Sequence, residues 1–244
     1  MLTLVLAHSP LVGPESWGHL PEALRDAGGP QLQVVVLDAE DRSTPYARAY
    51  VASAAAQIAA AAPQGPVVLV GHSGAGYLLP QIGTTQRSAR RAIGGYVFFD
   101  AGLPHGRGAS RLGLMRTEDA EFAAELTAVL ESGGVFPTWT DEDLAGLIPD
   151  DAVRRALVEA LRPRGLEFFT EPLPFPADWP DAPCGYVQLS AAYAGPARVA
   201  RSRGWTVVDW PEDAAGGHFA ACADPAGVAA LLLDLLAQLT TFGR

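Results

Sequence analysis

The chain is expected to be an α/β protein with a mostly parallel central sheet and helices on both of its faces. Three observations predict this. Apolar runs such as LTLVLA (2–7), LQVVVL (32–37) and VVLV (67–70) lack alternation, which is how strands covered on both faces read. The stretches between them are helical in composition, among them the alanine-rich segment 46–62 that stops at Pro63. The 244 residues, 49% of them hydrophobic, suffice for one large domain with a full core and an inserted segment, but hardly for two independent domains.

Taken in order, strand 2–7 leads into the loop HSPLVGPESW, whose landmarks are His8 and Trp17, and then into a helix over 20–26. His8 reads as a structural histidine that hydrogen-bonds its own loop. Strand 32–37 is followed by the polar turn DAEDRSTP, helix 46–62 and strand 67–70. After that strand the order is Gly71, His72, Ser73, Gly74, Ala75, Gly76, and then the helix formers Tyr77, Leu78 and Leu79. A strand, a sharp turn and a helix are predicted. So tight a turn needs small residues two places either side of its centre, and Gly71 and Ala75 stand there. Ser73 is then held in a strained backbone, its hydroxyl pushed out at the carboxyl end of the sheet over the start of the next helix. That is a nucleophile's position, and the Gly74 amide lies close enough to donate to an oxyanion. A dinucleotide fingerprint would need a third glycine near Leu79 and belongs on a first strand, and a phosphate-binding loop needs a lysine.

Strand 96–99 follows and ends in Asp100, a carboxylate at the sheet edge where sites form in open parallel sheets. Residues 103–183 change pattern. Thr117 is expected to cap a helix through 131, Thr140 one through 148, and Asp150 or Asp151 one through 161, with aromatic and proline-rich joints GGVFPTWT and EFFTEPLPFPADWPDAP. The strand pattern returns at 185–190, then helix 196–203, strand 205–209, a loop containing Gly216, Gly217 and His218, and a final helix 228–239.

The elbow GHSGAG and the segment GGHF resemble the α/β-hydrolase superfamily, with Ala75 in place of the last glycine of the pattern Gly-x-Ser-x-Gly. The resemblance implies an α/β-hydrolase core over 1–102 and 184–244 and a helical cap over 103–183. It implies a serine hydrolase acting on an ester, thioester or lactone with a mostly apolar acyl group, through an acyl-enzyme on Ser73 with His218 as base. The acid in most members follows the strand after the cap, but LSAAYAGPARVAR contains no carboxylate. Asp100 preserves the order serine, acid, histidine, and some members, pancreatic-type lipases among them, place their acid there. Asp38, at another strand end, and Asp209, Glu212 and Asp213, close to His218 in sequence, are the other candidate carboxylates. The family's oxyanion loop commonly begins His-Gly, with a backbone amide just after it completing the hole. Here Ser9 and Pro10 follow His8, and proline has no amide hydrogen. Beside Gly74, Leu11 or Ser9 must therefore supply the second donor after a local rearrangement; Leu11 is the expected one, with the Ser9 hydroxyl as an extra donor. Phe136, Trp139, Phe168 and Phe169, with Phe175, either line an acyl pocket or pack the cap on the core.

Composition narrows the rest. The net charge is −10 without a basic stripe, so nucleic acid is not an expected partner. All 17 basic residues are arginine, and lysine and asparagine do not occur, which excludes lysine Schiff bases, a P-loop and N-glycosylation. No metal or organic cofactor is expected, and the partner is a small-molecule substrate. No run of 18 apolar residues occurs and the opening MLTLVLAHSP lacks signal-peptide features, so a cytoplasmic protein without membrane partners is expected. Cys184 and Cys222 read as small buried residues. The competing expectations are a hydrolase-fold protein that binds a small apolar ligand and does little chemistry, or a lyase or acyltransferase using the same site.

Overall fold

The structure is a computed structural model describing residues 1–106 and 108–241. Six strands form one fully parallel sheet: β1 (Leu2–Ala7), β2 (Leu32–Val36), β3 (Val67–Ser73), β4 (Ile93–Ala101), β5 (Cys184–Gln188) and β6 (Thr206–Asp209). Their spatial order is β2-β1-β3-β4-β5-β6, so β3 sits inside the sheet between β1 and β4.

The period-two geometry of these strands divides their side chains between two cores. Val5, Ala7, Val67, Leu69, Tyr96 and Phe98 face one layer, built by helices α2 (Tyr46–Ala60), α3 (Leu79–Ser88) and α9 (Ala194–Ser202). Leu4, Leu6, Val68, Val70, Val97 and Phe99 face the other, built by α1 (Leu20–Gly28) and the last helix, α11 (Pro225–Thr241). With apolar burial on both faces, the strands have no polar face to show, which is the lack of alternation seen in the sequence. Both cysteines are free and buried. Among the described residues no single helix is long and apolar enough to cross a membrane.

Strand β3 runs on through Gly71 and His72 to Ser73 rather than stopping at Val70. Gly71 is a paired strand residue, and it is small because a β-carbon there would meet the Leu79 side chain at 2.9 Å.

Among the described residues between β4 and β5 lie five helices, α4 (Arg111–Glu118), α5 (Ala120–Glu131), α6 (Asp141–Leu144), α7 (Asp151–Glu159) and α8 (Leu166–Thr170). They form a third apolar cluster that rests on Leu11 and Val12 of the loop after β1 and on Phe219 and Cys222. Thr117 caps nothing. It lies inside α4, and the cap of α5 is Asp119, whose carboxylate accepts from the Phe122 amide. Thr140 caps α6 with Asp143 in a reciprocal capping box, but that helix ends at Leu144, just before Gly146 and Pro149. Asp150, not Asp151, caps α7. Helix α10 (Ala220–Ala223) begins two residues after His218.

Candidate active site

The site is assembled where β3 and β4 end side by side. Ser73 closes β3 with φ 56° and ψ −125°, in the region that side chains rarely adopt. A short 3-10 turn, Gly74–Leu78, carries the chain into α3. Ala75 is fully buried and Gly76 packs on the end of β4, where a β-carbon would collide with the Gly102 carbonyl oxygen.

Strand β4 is irregular at the same level. His72 pairs with Phe99 but Ser73 pairs with Ala101, so Asp100 is an extra residue, a bulge with φ 43°. Tyr186 of β5 holds the bulge in place: its phenol accepts from the Ala101 amide at 3.2 Å and donates to the Ala101 carbonyl at 2.9 Å. The bulge turns the Asp100 carboxylate toward the end of β5 and fully buries it. There it accepts from the amides of Leu189 and Ser190 at 2.8 and 3.1 Å and from the Ser190 hydroxyl at 2.7 Å, and Oδ2 also meets His218 Nδ1 at 2.8 Å. The loop that lacks a carboxylate of its own therefore binds the carboxylate of the neighbouring strand. Of the other carboxylates, Asp38 pairs with Arg162 and Asp209 with Arg201.

His218 lies in the 3-10 turn Gly217–Phe219, which Gly216 and Gly217 enter with φ of 94° and 47°. With Nδ1 taken by Asp100, Nε2 is the nitrogen left for chemistry. The imidazole has Tyr193 stacked on it, 5.0 Å between centroids and 6° between planes, and His72 at 4.4 Å. His72 is buried beside the turn, and its Nε2 donates to the His218 carbonyl at 3.1 Å. Burial holds its pKa well below the usual histidine value, so it is a neutral prop and not a second base.

Ser73 Oγ meets the Tyr193 hydroxyl at 3.1 Å, and no hydrogen bond joins it to His218. Tyr193 is a site residue that the sequence reading did not name. It ends the short turn Ala191–Tyr193 after β5, in the segment that carries no carboxylate.

On the other side of β3, the loop after β1 approaches the elbow. The Leu11 amide donates to Ser9 Oγ at 3.3 Å, so Leu11 is spent within the loop while the Ser9 hydroxyl keeps its proton. A β-carbon on Gly74 would lie 3.5 Å from Ser9 Oγ, which places that hydroxyl beside Gly74. His8 is structural: buried, it donates from Nδ1 to the Ser9 carbonyl at 2.8 Å and accepts from the Ala39 amide at Nε2 at 3.0 Å. Burial lowers its pKa to about 4.

A cavity of about 420 Å³ opens over Ser73 and His218, floored by Ser9, Leu11 and Tyr193. Its far walls come from the helical insert and include Met115, Phe122, Phe136, Trp139, Leu144 and Leu147. Phe136 and Trp139 thus line the cavity. Phe168 and Phe169 do not. They are buried at 1% and 0% exposure inside the insert, where Arg111 stacks on Phe168 at 3.8 Å. Phe175 packs against Trp179. Among the described residues no group of three or more His, Cys, Asp or Glu side chains is placed to hold a metal ion.

A model of the family described as "Alpha/beta hydrolase family" matches residues 4–231. No curated protein matches the sequence. Solved structures do. An extracellular alpha/beta-hydrolase from a Paenibacillus species is 17% identical with a TM-score of 0.66, over 96% of this chain and 99% of that one. Polyneuridine aldehyde esterase is 19% identical with a TM-score of 0.68, over 96% and 99%. A pyrethroid hydrolase from Sphingobium faniae JZ-2 is 15% identical with a TM-score of 0.65, over 97% and 98%.

Proposed function

The chain belongs to the alpha/beta hydrolase family, and from that premise we propose that it is a serine hydrolase of esters, thioesters or lactones with a mostly apolar acyl group. The observation that carries this reading is the buried Asp100 carboxylate held against His218 Nδ1 beside a strained, pocket-facing Ser73. Ser73 Oγ attacks the carbonyl carbon while His218 Nε2 takes its proton and returns it to the leaving group. Asp100 fixes the tautomer and stabilises the imidazolium. The oxyanion is received by the Gly74 amide and the Ser9 hydroxyl, which the Leu11 amide polarises from behind. The insert over 103–183 acts as a cap, its Phe136, Trp139, Phe122, Leu144 and Leu147 giving the acyl group an apolar enclosure.

The test is labelling by a fluorophosphonate probe together with turnover of p-nitrophenyl esters. Wild type is expected to label and turn over, and Ser73→Ala to do neither while unfolding at the same urea concentration. Undiminished turnover by Ser73→Ala would sink the assignment. One observation favours a second reading, a protein that binds a small apolar ligand with little chemistry: the Ser73 hydroxyl is bonded to Tyr193 and not to His218. Folded wild type that fails to label at Ser73 brings that reading forward.

A further inference from the structure

Tyr193 touches the nucleophile, yet the mechanism above gives it no task. Its hydroxyl lies 3.1 Å from Ser73 Oγ and its ring is stacked on His218. It stands three residues after Ser190, whose amide and hydroxyl hold Asp100. One loop therefore clamps the acid, covers the base and reaches the nucleophile. We propose that Tyr193 is a fourth catalytic residue, its phenol hydroxyl donating to Ser73 Oγ and stabilising that oxygen as it leaves the acyl carbon in deacylation.

The proposal rests on the serine hydrolase reading, and the chemistry of the oxygen gives it its direction. In the free enzyme either hydroxyl can donate to the other. Once Ser73 is acylated its Oγ carries no hydrogen, and an ester oxygen only accepts, so the bond persists only with Tyr193 as donor. Water then attacks the acyl carbon as His218 Nε2 takes its proton. The tetrahedral intermediate collapses when the bond from carbon to Oγ breaks and its electron pair passes to Oγ, which receives the proton back from His218. Negative charge gathers on Oγ ahead of that proton, and a donor already aimed at it strengthens most in that transition state. Tyr193 keeps its own proton throughout, because burial pushes its phenol above the usual tyrosine range. In acylation the bond is already made to the neutral Ser73 hydroxyl, a better acceptor than an ester oxygen, so less is gained between ground state and transition state and the benefit there is smaller.

Tyr193→Phe removes the hydroxyl and leaves the ring stacked on His218. With a p-nitrophenyl ester in stopped flow, the variant is expected to show a burst of one equivalent. Its steady-state rate should fall about 10- to 100-fold, a little below what loss of an oxyanion donor costs, and acyl-Ser73 should accumulate in the mass of quenched enzyme. The burst rate constant and the rate of fluorophosphonate labelling should change less than about threefold, the pattern of a lost leaving-group donor rather than a displaced base. A steady-state rate within about twofold of wild type, or an equal fall in both phases, overturns the proposal. Tyr193→Leu, which also loses the stack, is read by the same ratio of deacylation to acylation and should lower it at least as far. Wild type that labels and turns over beside an unchanged Tyr193→Phe refutes only the role of Tyr193. Failure of wild-type Ser73 to label refutes the hydrolase reading itself.

Discussion

Ser73 and Asp100 are both held at positive φ without being glycine, at a cost of about 1–3 kcal/mol each. In both cases the surroundings offset the strain: Gly76 lets α3 close on β4 behind the elbow, and the Leu189 and Ser190 amides and the Ser190 hydroxyl bind the displaced carboxylate. That binding makes Asp100→Asn an informative change. The amide oxygen can still accept from the two backbone amides, so the fold should persist. The amide nitrogen would face His218 Nδ1 and stabilise the tautomer carrying its hydrogen on Nε2, which cannot act as a base. We expect kcat/KM for p-nitrophenyl esters to fall about 10³- to 10⁴-fold with the urea midpoint nearly unchanged. A fall of less than tenfold would move the acid elsewhere. Ser73, His218 and Asp100 were legible in the sequence because a nucleophile turn, a glycine-flanked histidine and a strand-end carboxylate leave local marks. Tyr193 was not, because a tyrosine is equally at home in a core and only its neighbours across the sheet give it a task.

The elements holding these residues differ in how far their sequences reveal them. The strands of the sheet were legible from their unbroken apolar runs, whereas the Asp100 bulge is a mismatch between two strands and exists only once they pair. The insert was legible in outline and wrong in detail at Thr117, because Asp119 two residues later offers a better cap and Gly113 breaks the periodicity of α4. Its attachment to the core was not legible. Glu171, distant in sequence, accepts from the amides of Tyr46 and Ala47 at 2.7 and 2.6 Å and so caps α2, whose own first residues offer no side-chain cap. The same carboxylate receives Arg111, which is 2% exposed. Glu171→Ala leaves two helix amides open and a buried guanidinium without its counter-charge. We expect a loss of about 3–5 kcal/mol, measured as the change in urea unfolding free energy. A loss below about 1 kcal/mol would mean that water or Asp41 takes over the charge.

Across the whole molecule, buried histidines tie stability to pH. His8 is neutral when folded, with a pKa lowered to about 4 by burial against an ordinary value of 6.5. Between those values the unfolded chain binds a proton that the native protein refuses, so stability is full above pH 6.5 and is lost as the pH falls toward 4. Each such histidine contributes a slope of about 1.4 kcal/mol per pH unit, and His72, shifted down by the same cause, adds to it with the same sign. Urea unfolding at pH 7.5, 6.0 and 5.0 should show this decline, and His8→Gln should flatten it by about one proton. An unchanged slope in that variant would show that His8 takes up its proton in the folded state.

Taken alone, the sequence determined the layered α/β architecture, the nucleophile turn, the histidine loop and the presence of a helical insert. Each of these is written in residues close together along the chain, as periodicity, small-residue spacing or capping. The tertiary structure decided which aromatic side chains face the cavity, how Asp100 is turned toward His218, which donor the proline-interrupted loop retains and what the Ser73 hydroxyl touches. These depend on distances between segments far apart in the chain, such as His72 and the His218 carbonyl, 146 residues apart, and such distances arise only when β1, β3, β4 and β5 have taken their register and brought their carboxyl ends to one edge.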